Sequence, residues 1–515
     1  MAGVNRKSDD IIGITVSKAT NFPQWYQEVV TKAEMVEYYG DVAGLFILRP
    51  MTMFIWSEMR EWFQRHLDDM GIGEASFPLF LSAESLAKEK DHIEGFAPEL
   101  AWVTKAGDKN LDVPIAVRPT SEAIMYPYYK KWIRSHRDLP LRLNQWNSVV
   151  RWETKQTTPF LRTREFLWQE GHTAHLTEEH AGKEVLEVLE LYAKLYEELL
   201  AVPVVRGRKT ENERFAGGYY TMTLEGYIPS NGRGVQGATS HCLGQNFSKM
   251  FDIWVEDPVS QEHVHVWQNS WAFSTRVIGV MVMVHGDDRG LVLPPHVAKI
   301  QVIIIPAGIN KRTTAEEKNQ LLDQMDEIRA TLKKETLLRV QIDSREGYTP
   351  AWKFNDWELK GVPLRLEFGP KDAKKGVVSY TQRHDNKKGT IPISSVATEI
   401  PRLLNQVQAD MFDRANATFK EHRRTITCWH EVMPAIDNKD LVLIPFCLSG
   451  ACEDGIKELT TKKDAGAGEQ GIAMMGIKSL CIPFEQPSQL EEGTKCLNPE
   501  CGRLAKQWTL FGRSY

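Results

Sequence analysis

Between Val149 and His172 the chain concentrates three arginines and three glutamates, Arg151, Arg162 and Arg164 with Glu153, Glu165 and Glu170. The flanks Ser148–Trp152 and Phe166–Gln169 have strand composition, and Lys155–Pro159 reads as the turn-bearing loop between them. An Arg-x-Glu pair on a strand shares one face, because strand side chains alternate with period two. Facing solvent, Arg151 and Glu153 would be an ion pair of little worth. Lining a cleft, Arg151 can grip a phosphate through two parallel bonds while Glu153 helps to hold a magnesium ion or a ligand amine. Arg276 opens the apolar run Val277–Val284 and is read either as a buried ion-pair partner or as a phosphate ligand. Gly232-x-Gly234-x-x-Gly237 satisfies the dinucleotide-binding pattern, but Pro229-Ser230-Asn231 before it and Ala238-Thr239-Ser240-His241 after it are not the strand end and helix start that the fingerprint requires. These glycines are instead expected to shape a loop that brings Gln236, Thr239 and His241 to a ligand.

The seven cysteines are unevenly placed. Cys447-x4-Cys452 and Cys496-x4-Cys501 form two matched pairs with glycine nearby, which in a reducing compartment suggests structural zinc rather than disulfides. The alternative is four buried or free thiols. Cys481, inside the apolar run Ser479–Phe484, reads as core.

The elements that position these residues follow from composition and periodicity. A chain of 515 residues with 42% hydrophobic and 25% charged side chains is globular and of about three domains. The longest apolar runs, Val277–Val284 and Val302–Ile305, are far too short to span a membrane, and the N-terminus has no apolar signal region, so a cytoplasmic location is expected. Net charge is only −5, yet from Lys299 to Arg424 there are 23 Lys and Arg against 17 Asp and Glu. A basic segment inside an acidic protein permits contact with nucleic acid. Met51–Met70 has the spacing of an amphipathic helix and leads through Gly71 and Gly73 to a proline-containing strand over Ser76–Leu81. A second long helix is expected over Glu184–Leu200. Glycine-rich loops and aromatic strands are expected between Arg206 and Met283, with no helix of any length before Trp271. After Lys299 strand and helix alternate as in a small α/β domain.

Three of these segments together resemble the signature motifs of class II aminoacyl-tRNA synthetases: the helix and strand ending at Pro78, Arg151-x-Glu153 with its loop and Arg162, and the strand and helix carrying Arg276. The resemblance is closer still to prolyl-tRNA synthetases of the eukaryotic and archaeal type. It rests on Arg118-Pro119-Thr120-Ser121-Glu122, on Phe160–His172, on Gly237-Ala238-Thr239-Ser240-His241 and on Phe511-Gly512-Arg513-Ser514-Tyr515, and covers the chain from about Phe22 onward. It implies an α/β (α+β multidomain) protein. The tail of residues 1–20 would be followed by an antiparallel-sheet catalytic domain at 21–296, an α/β anticodon-binding domain at 297–405 and a C-terminal zinc-binding module at 406–515.

The activity implied is ATP-dependent activation of L-proline to prolyl-adenylate and transfer to the 3′ end of tRNA(Pro). Carried onto this sequence, Arg151 would bridge the α-phosphate and the amino-acid carboxylate, with Arg162 and Arg276 on the γ-phosphate and adenine side. Thr163, Gln236, Thr239 and Ser274 would complete the ATP site, with Glu153 and Gln236 as magnesium ligands. Proline, a secondary ammonium on a compact ring, needs carboxylate acceptors at one end and a tight wall at the other. Thr120 and Glu122 supply the first, and Trp168, His172, His241 and Phe96 are candidate walls; a core histidine held by hydrogen bonds is the alternative for His172 and for His241. Cys447, Cys452, Cys496 and Cys501 would hold Zn2+, with the fourth ligand the least secure because relatives have closer cysteines there. In Pro350–Pro363 the residues Trp352, Phe354 and Trp357 suit either splayed anticodon bases or the domain core. No editing insertion separates the second and third motifs, and apolar contacts alone reject alanine by only about 1–3 kcal/mol. A homodimer, a multi-synthetase complex and no membrane are the expected associations. The rivals are a threonyl- or glycyl-specific synthetase, which would lack the Thr120–Glu122 and Trp168–His172 set, and a synthetase-like scaffold, which would have lost a motif arginine.

Overall fold

The computed structural model describes residues 13–87, 100–153, 156–309, 313–461 and 475–515. Its centre is an eleven-stranded sheet. In chain order the strands on the catalytic side are β1 (Gly73–Glu74), β2 (Leu141–Val150), β3 (Glu165–His175), β4 (Val205–Arg208), β5 (Tyr220–Ile228), β6 (Arg233–Gly244) and β7 (Trp267–Ser274). Four helices matter for the site: α1 (Pro50–Asp69), α2 (Glu122–Trp132), α3 (Glu178–Lys194) and α4 (Arg276–His285). The order β4–β5–β6–β7–β3–β2 is antiparallel throughout, and the edge strand β1 adds to β2 in parallel.

One face of this sheet is covered by α1, α3 and α4. Phe63, Tyr192 and Phe273 pack ring on ring there, with Met59, Trp271 and Val277 wholly buried around them. The periodicity of Met51–Met70 thus has its expected origin, a helix laying one stripe on the core. Gly171 is required on this face, since a Cβ there would come within 2.1 Å of the Trp271 indole. The second helix starts earlier than its apolar stripe suggested, because the Thr177 side chain accepts from His180 N–H and caps it seven residues upstream of Glu184. It continues as a wider π turn over Leu195–Leu199.

Three other expectations change. The strand after α1 is not Ser76–Leu81: pairing stops at Glu74 and resumes at Phe80–Ser82 in a separate three-stranded sheet. Between them the Phe77, Pro78 and Leu79 carbonyls all accept from Arg118 instead, as suits a segment whose proline offers no N–H. The Arg206–Trp271 stretch is strands and turns broken by one short helix, Asn246–Met250. The glycine pattern from Gly232 forms a strand rather than a loop. Gly232, at φ +67°, makes the β5–β6 turn, and Gly234 and Gly237 lie on β6 itself.

The domain after Lys299 has the expected alternation. Parallel β8 (Val302–Pro306), β9 (Val340–Ile342) and β10 (Leu364–Phe368) are extended by antiparallel β11 (Val377–Gln382) and β12 (Lys388–Pro392). They are flanked by α5 (Ala315–Thr336), α6 (Pro350–Leu359) and α7 (Val396–Glu421). The helix α7 runs across the 405/406 boundary expected from the sequence. Beyond it β13 (Arg423–Thr425), β14 (Leu441–Phe446), α8 (Gly450–Thr460), β15 (Lys478–Pro483) and β16 (Gln507–Ser514) form the C-terminal region. Its strands, in the order β13–β14–β16–β15, continue the catalytic sheet: Ile482 and Pro483 on β15 pair with Arg208 and Gly207 on β4. A buried ion pair sits at the joint, where Lys209 Nζ lies 2.7 Å from Glu225 and donates to the Leu480 carbonyl. Among the described residues no helix is long and apolar enough to cross a membrane.

Candidate active site

Strand register sorts the chemistry-bearing residues onto the face opposite α1, α3 and α4. On β3 the even-numbered side chains Phe166, Trp168, Glu170 and His172 lie on that face, while Gln169, Gly171 and Thr173 meet the helices. Opposite partners share a face, so Ser274 stands beside Trp168, Ala272 beside Glu170 and Ser270 beside His172. One strand further, Thr239 pairs with Ala272 and His241 with Ser270. Gln236 would fall on the wrong side by simple alternation. A register shift on β6, which skips Gly237 between Gln236 and Ala238, keeps Val235 and Ala238 in the core and puts Gln236 with Thr239 and His241.

Arg151 and Glu153 are not on a strand, as the spacing had suggested. β2 ends at Val150, and Glu153 N–H turns back to the Arg151 carbonyl at 2.7 Å. Arg151 N–H still bonds to the Arg164 carbonyl, but the Arg164 N–H turns away to the Gly44 carbonyl, and strand pairing gives out there. The Arg151 guanidinium donates to the Pro119 carbonyl at 3.1 Å and lies over the Trp168 ring at 5.3 Å, a placement that joins the loop to the Thr120–Glu122 segment. Arg164 stacks on Trp152 and donates to the Glu153 carbonyl. Thr163 lines a small cavity of about 170 Å3 together with Phe46, Leu48, Phe160 and Phe166.

Arg276 is the first residue of α4. Its backbone N–H donates to Ser274 Oγ at 3.3 Å and its guanidinium to the Leu161 carbonyl at 3.3 Å. Among the described residues it forms no ion pair, which leaves the phosphate-ligand alternative standing. Burial above all, with the nearby Arg162 adding to it, pushes its pKa below the usual arginine value. Such a cation is costly unless an anion arrives.

The polar end of the site is the start of α2. Thr120 donates to the Glu122 carboxylate, and Glu122 is only 2% exposed. Trp168 is buried and donates through Nε1 to Asn147 Oδ1 at 2.5 Å. His241 Nδ1 is 2.9 Å from Thr221 Oγ1, and the Phe215 ring stacks on its imidazole with centroids 4.5 Å apart. His172 is 1% exposed, with Nδ1 3.0 Å from the Tyr126 hydroxyl and Nε2 3.0 Å from Glu170. Both of its ring nitrogens thus have partners within the protein, as in the hydrogen-bonded reading of this residue. Burial lowers its pKa, but the Glu170 bond and the charges of Glu122 and Glu170 outweigh that and hold it above the usual value. Phe96 lies outside the described residues. Two site residues escaped sequence reasoning. Phe215 sits in a stretch read only as loops, and Glu170 was counted as charge but given no task.

The four cysteines converge. The Cys452 and Cys496 sulfurs are 3.6 Å apart, as are those of Cys447 and Cys501, and all four lie within 4.8 Å of one another. Thiolates about 2.3 Å from a tetrahedral zinc would be about 3.8 Å apart, so the cluster fits that ion, Cys501 included.

Comparison with known proteins agrees with this geometry. Residues 102–285 match the family model described as the tRNA synthetase class II core domain (G, H, P, S and T), residues 301–403 the anticodon binding domain, and residues 429–515 the prolyl-tRNA synthetase C-terminal domain. A Saccharomyces cerevisiae protein named putative proline–tRNA ligase is 53% identical over 98% of this chain and 73% of its own length. The chain belongs to the prolyl-tRNA synthetase family. An Arabidopsis thaliana synthetase named as cytoplasmic proline–tRNA ligase is 50% identical over 99% of this chain and 92% of its own length. A Drosophila melanogaster protein named bifunctional glutamate/proline–tRNA ligase is 52% identical over 99% of the chain, which spans 30% of that longer protein. In this prolyl-tRNA synthetase the antiparallel sheet of the class II core is the scaffold on which the polar face is built.

Proposed function

We propose that the polar face of the β5–β6–β7–β3 sheet is where this proline–tRNA ligase makes prolyl-adenylate. The observation that carries the reading is register: Trp168, Ser274, Thr239 and His241 share one face by strand pairing, and Gln236 joins them through the β6 bulge. The carboxylate of L-proline attacks the α-phosphorus of ATP, a carboxylate–phosphorus bond forms, the bond to the β-phosphate oxygen breaks, and diphosphate leaves. A ribose hydroxyl at the 3′ end of tRNA(Pro) then attacks the activated carbonyl and AMP departs. Such a reaction asks the protein to place two anions in line and to offset charge as it grows.

Arg151, which donates to the Pro119 carbonyl and lies over Trp168, would bridge the proline carboxylate and the α-phosphate. Arg276 and Arg162 are the cations for the outer phosphates, and Thr163, Gln236, Thr239 and Ser274 complete the nucleotide site. Glu153 and Gln236 would hold magnesium, which supplies neutralisation of the β- and γ-phosphates. Thr120 and Glu122 take the secondary ammonium, with Trp168 and His241 walling the ring over the His172 floor. Cys447, Cys452, Cys496 and Cys501 would hold zinc, whose part is structural because the cluster lies among C-terminal strands and not on the active face. The chain is divided functionally into the catalytic, anticodon-binding and C-terminal parts at 21–296, 297–405 and 406–515.

Proline-dependent pyrophosphate exchange tests the reading directly. Arg151→Ala is expected to abolish exchange with the fold retained, and exchange driven by threonine or glycine but not by proline would overturn it. Two associations extend the proposal. The edge strand β1 and exposed Leu79, Phe80, Tyr128 and Trp132 nearby suit a homodimer, which sedimentation would show. The bifunctional relatives and the one named cytoplasmic favour a cytoplasmic enzyme able to join a multi-synthetase complex, which co-purification would show.

A further inference from the structure

We propose that Glu170 is the positioning residue that fixes both ends of the proline pocket, an inference that rests on the proline site proposed above. Glu170 is 1% exposed and lies on β3 beneath the pocket, between Trp168 and His172. Its Oε1 accepts from Ser121 Oγ at 2.5 Å, from Gln145 Nε2 at 2.8 Å and from Asn147 Nδ2 at 2.8 Å, while its Oε2 meets His172 Nε2 at 3.0 Å. These four donors come from three elements: Ser121 from the start of α2, Gln145 and Asn147 from β2 and His172 from β3. Asn147 in turn accepts from Trp168 Nε1 and so sets the plane of the indole. Ser121 joins Thr120 to Glu122. Gln145 accepts from Phe77 N–H through its own Oε1 and anchors the loop after α1. His172 reaches Tyr126 on α2 through its other nitrogen.

A second observation shows that the chain gives something up for this arrangement. Ser121 occupies the N-cap of α2, where a serine side chain ordinarily accepts from the first turn of the helix. Here it makes no capping bond, and its hydroxyl proton goes to Glu170 instead. The Glu170 carboxyl is also held ionised. Burial pushes its pKa up, but the bonds from His172, Ser121 and Asn147 more than reverse this and bring it below the usual carboxylate range. A single buried carboxylate thereby sets the distance between the indole wall and the ammonium-binding end, which is the dimension that separates a five-membered ring from a smaller side chain.

The test is steady-state pyrophosphate exchange with proline, with alanine and with ATP varied in turn. Glu170→Ala is expected to raise KM for proline roughly tenfold or more, because displacement of contacts by an ångström is that costly, while KM for ATP stays within about twofold. Its ratio of proline to alanine turnover should fall. Glu170→Gln should recover most of the proline affinity: its amide oxygen can still accept from Ser121, Gln145 and Asn147, and its amino group can donate to a neutral His172. Equal rises in both KM values, or a glutamine variant no better than alanine, would overturn the proposal. Asn147→Ala carries the same test if Glu170→Ala fails to fold, since it frees the indole alone. Glu122→Gln separates the two readings. If it leaves KM for proline unchanged, the proline site itself is misplaced; if it raises KM while Asn147→Ala and Glu170→Ala do not, only the role of Glu170 falls.

Discussion

Arg276, partly buried in the catalytic region, and Arg345, at the surface of the anticodon-binding region, are treated in opposite ways. Arg345 is held by Asp343 at 2.6 Å and by Asp356 at 2.8 Å, and lies between the Trp352 and Trp357 rings. These partners raise its pKa above the usual arginine value, the bond to Asp343 being the largest contribution. Arg276 has a backbone carbonyl and the like charge of Arg162 for company, and its pKa moves the other way. A guanidinium whose counterions belong to the chain is part of the scaffold. One whose counterion is missing from the described residues stores a cost that an incoming anion relieves, and this separates the nucleotide site from structural ion pairs more sharply than charge density does.

The largest effect should therefore come from Arg276→Ala. Exchange is expected to fall about 10²- to 10³-fold, the usual loss on removing one preorganised charge from a reaction centre. The fold should be no less stable, since no ion pair is broken and an uncompensated, partly buried charge is removed. Arg276→Lys should not restore activity, because an ammonium lacks the planar fork. Exchange within tenfold of the parent would erase the distinction between the two arginines. Removal of metal from the four-cysteine cluster, or Cys496→Ser, should act in between: a clear fall in Tm, with exchange at 25 °C reduced by less than about tenfold because the cluster touches none of the site residues. Exchange lost while circular dichroism is unchanged would place the cluster in the chemistry. Arg345→Ala should leave exchange untouched, cost no more than about 1 kcal/mol of stability because the pair is part-exposed and Asp343 keeps Trp357 and Lys353, and raise KM for tRNA. A drop in tRNA-independent exchange would show that the two regions are not distinct in this sense.

Local patterns revealed the parts whose causes are local. The Met51–Met70 stripe, the strand after the charged loop, the apolar helix after Arg276 and the paired cysteines each carry their own periodicity or spacing, and each is where the sequence put it. The failures involve partners distant in the chain. Nothing near Arg151 announces that β2 ends at Val150, because the N–H of the facing Arg164 is taken by the Gly44 carbonyl, more than a hundred residues away in the chain. Nothing in Gly232–Gly237 distinguishes a loop from a bulged strand until β5 lies alongside. The junction of β15 with β4, and the Lys209 bond to Leu480, join residues about 270 apart, so the C-terminal region reads as separate although its strands continue the catalytic sheet. Glu170 looked like one more charge because its four donors come from three different elements.

The smallest effect, and the last test of the comparison, is in pH. His285 closes α4, the helix that Arg276 opens, and its Nε2 is 2.9 Å from the Leu200 carbonyl. Burial, with Lys18 and Arg414 nearby, lowers its pKa from 6.5 to about 4. Because the folded form resists protonation, this contribution is fully present above about pH 6.5 and drains away as pH falls towards 4, by at most about 2–3 kcal/mol. Asp343 beside Arg345 has its pKa lowered to about 2, with burial opposing and the Arg345 and Trp357 bonds prevailing. Its contribution is intact above about pH 4 and is lost only as pH falls from there towards 2. Between pH 6.5 and 4.5 the catalytic helix should thus weaken while the anticodon-binding ion pair does not. His285→Gln, which keeps a donor for Leu200, should flatten the dependence of Tm on pH across that window. Asp343→Asn should lower Tm but leave the same slope intact. Equal flattening by both variants would mean that the acid sensitivity does not follow the division between an uncompensated site and a compensated scaffold.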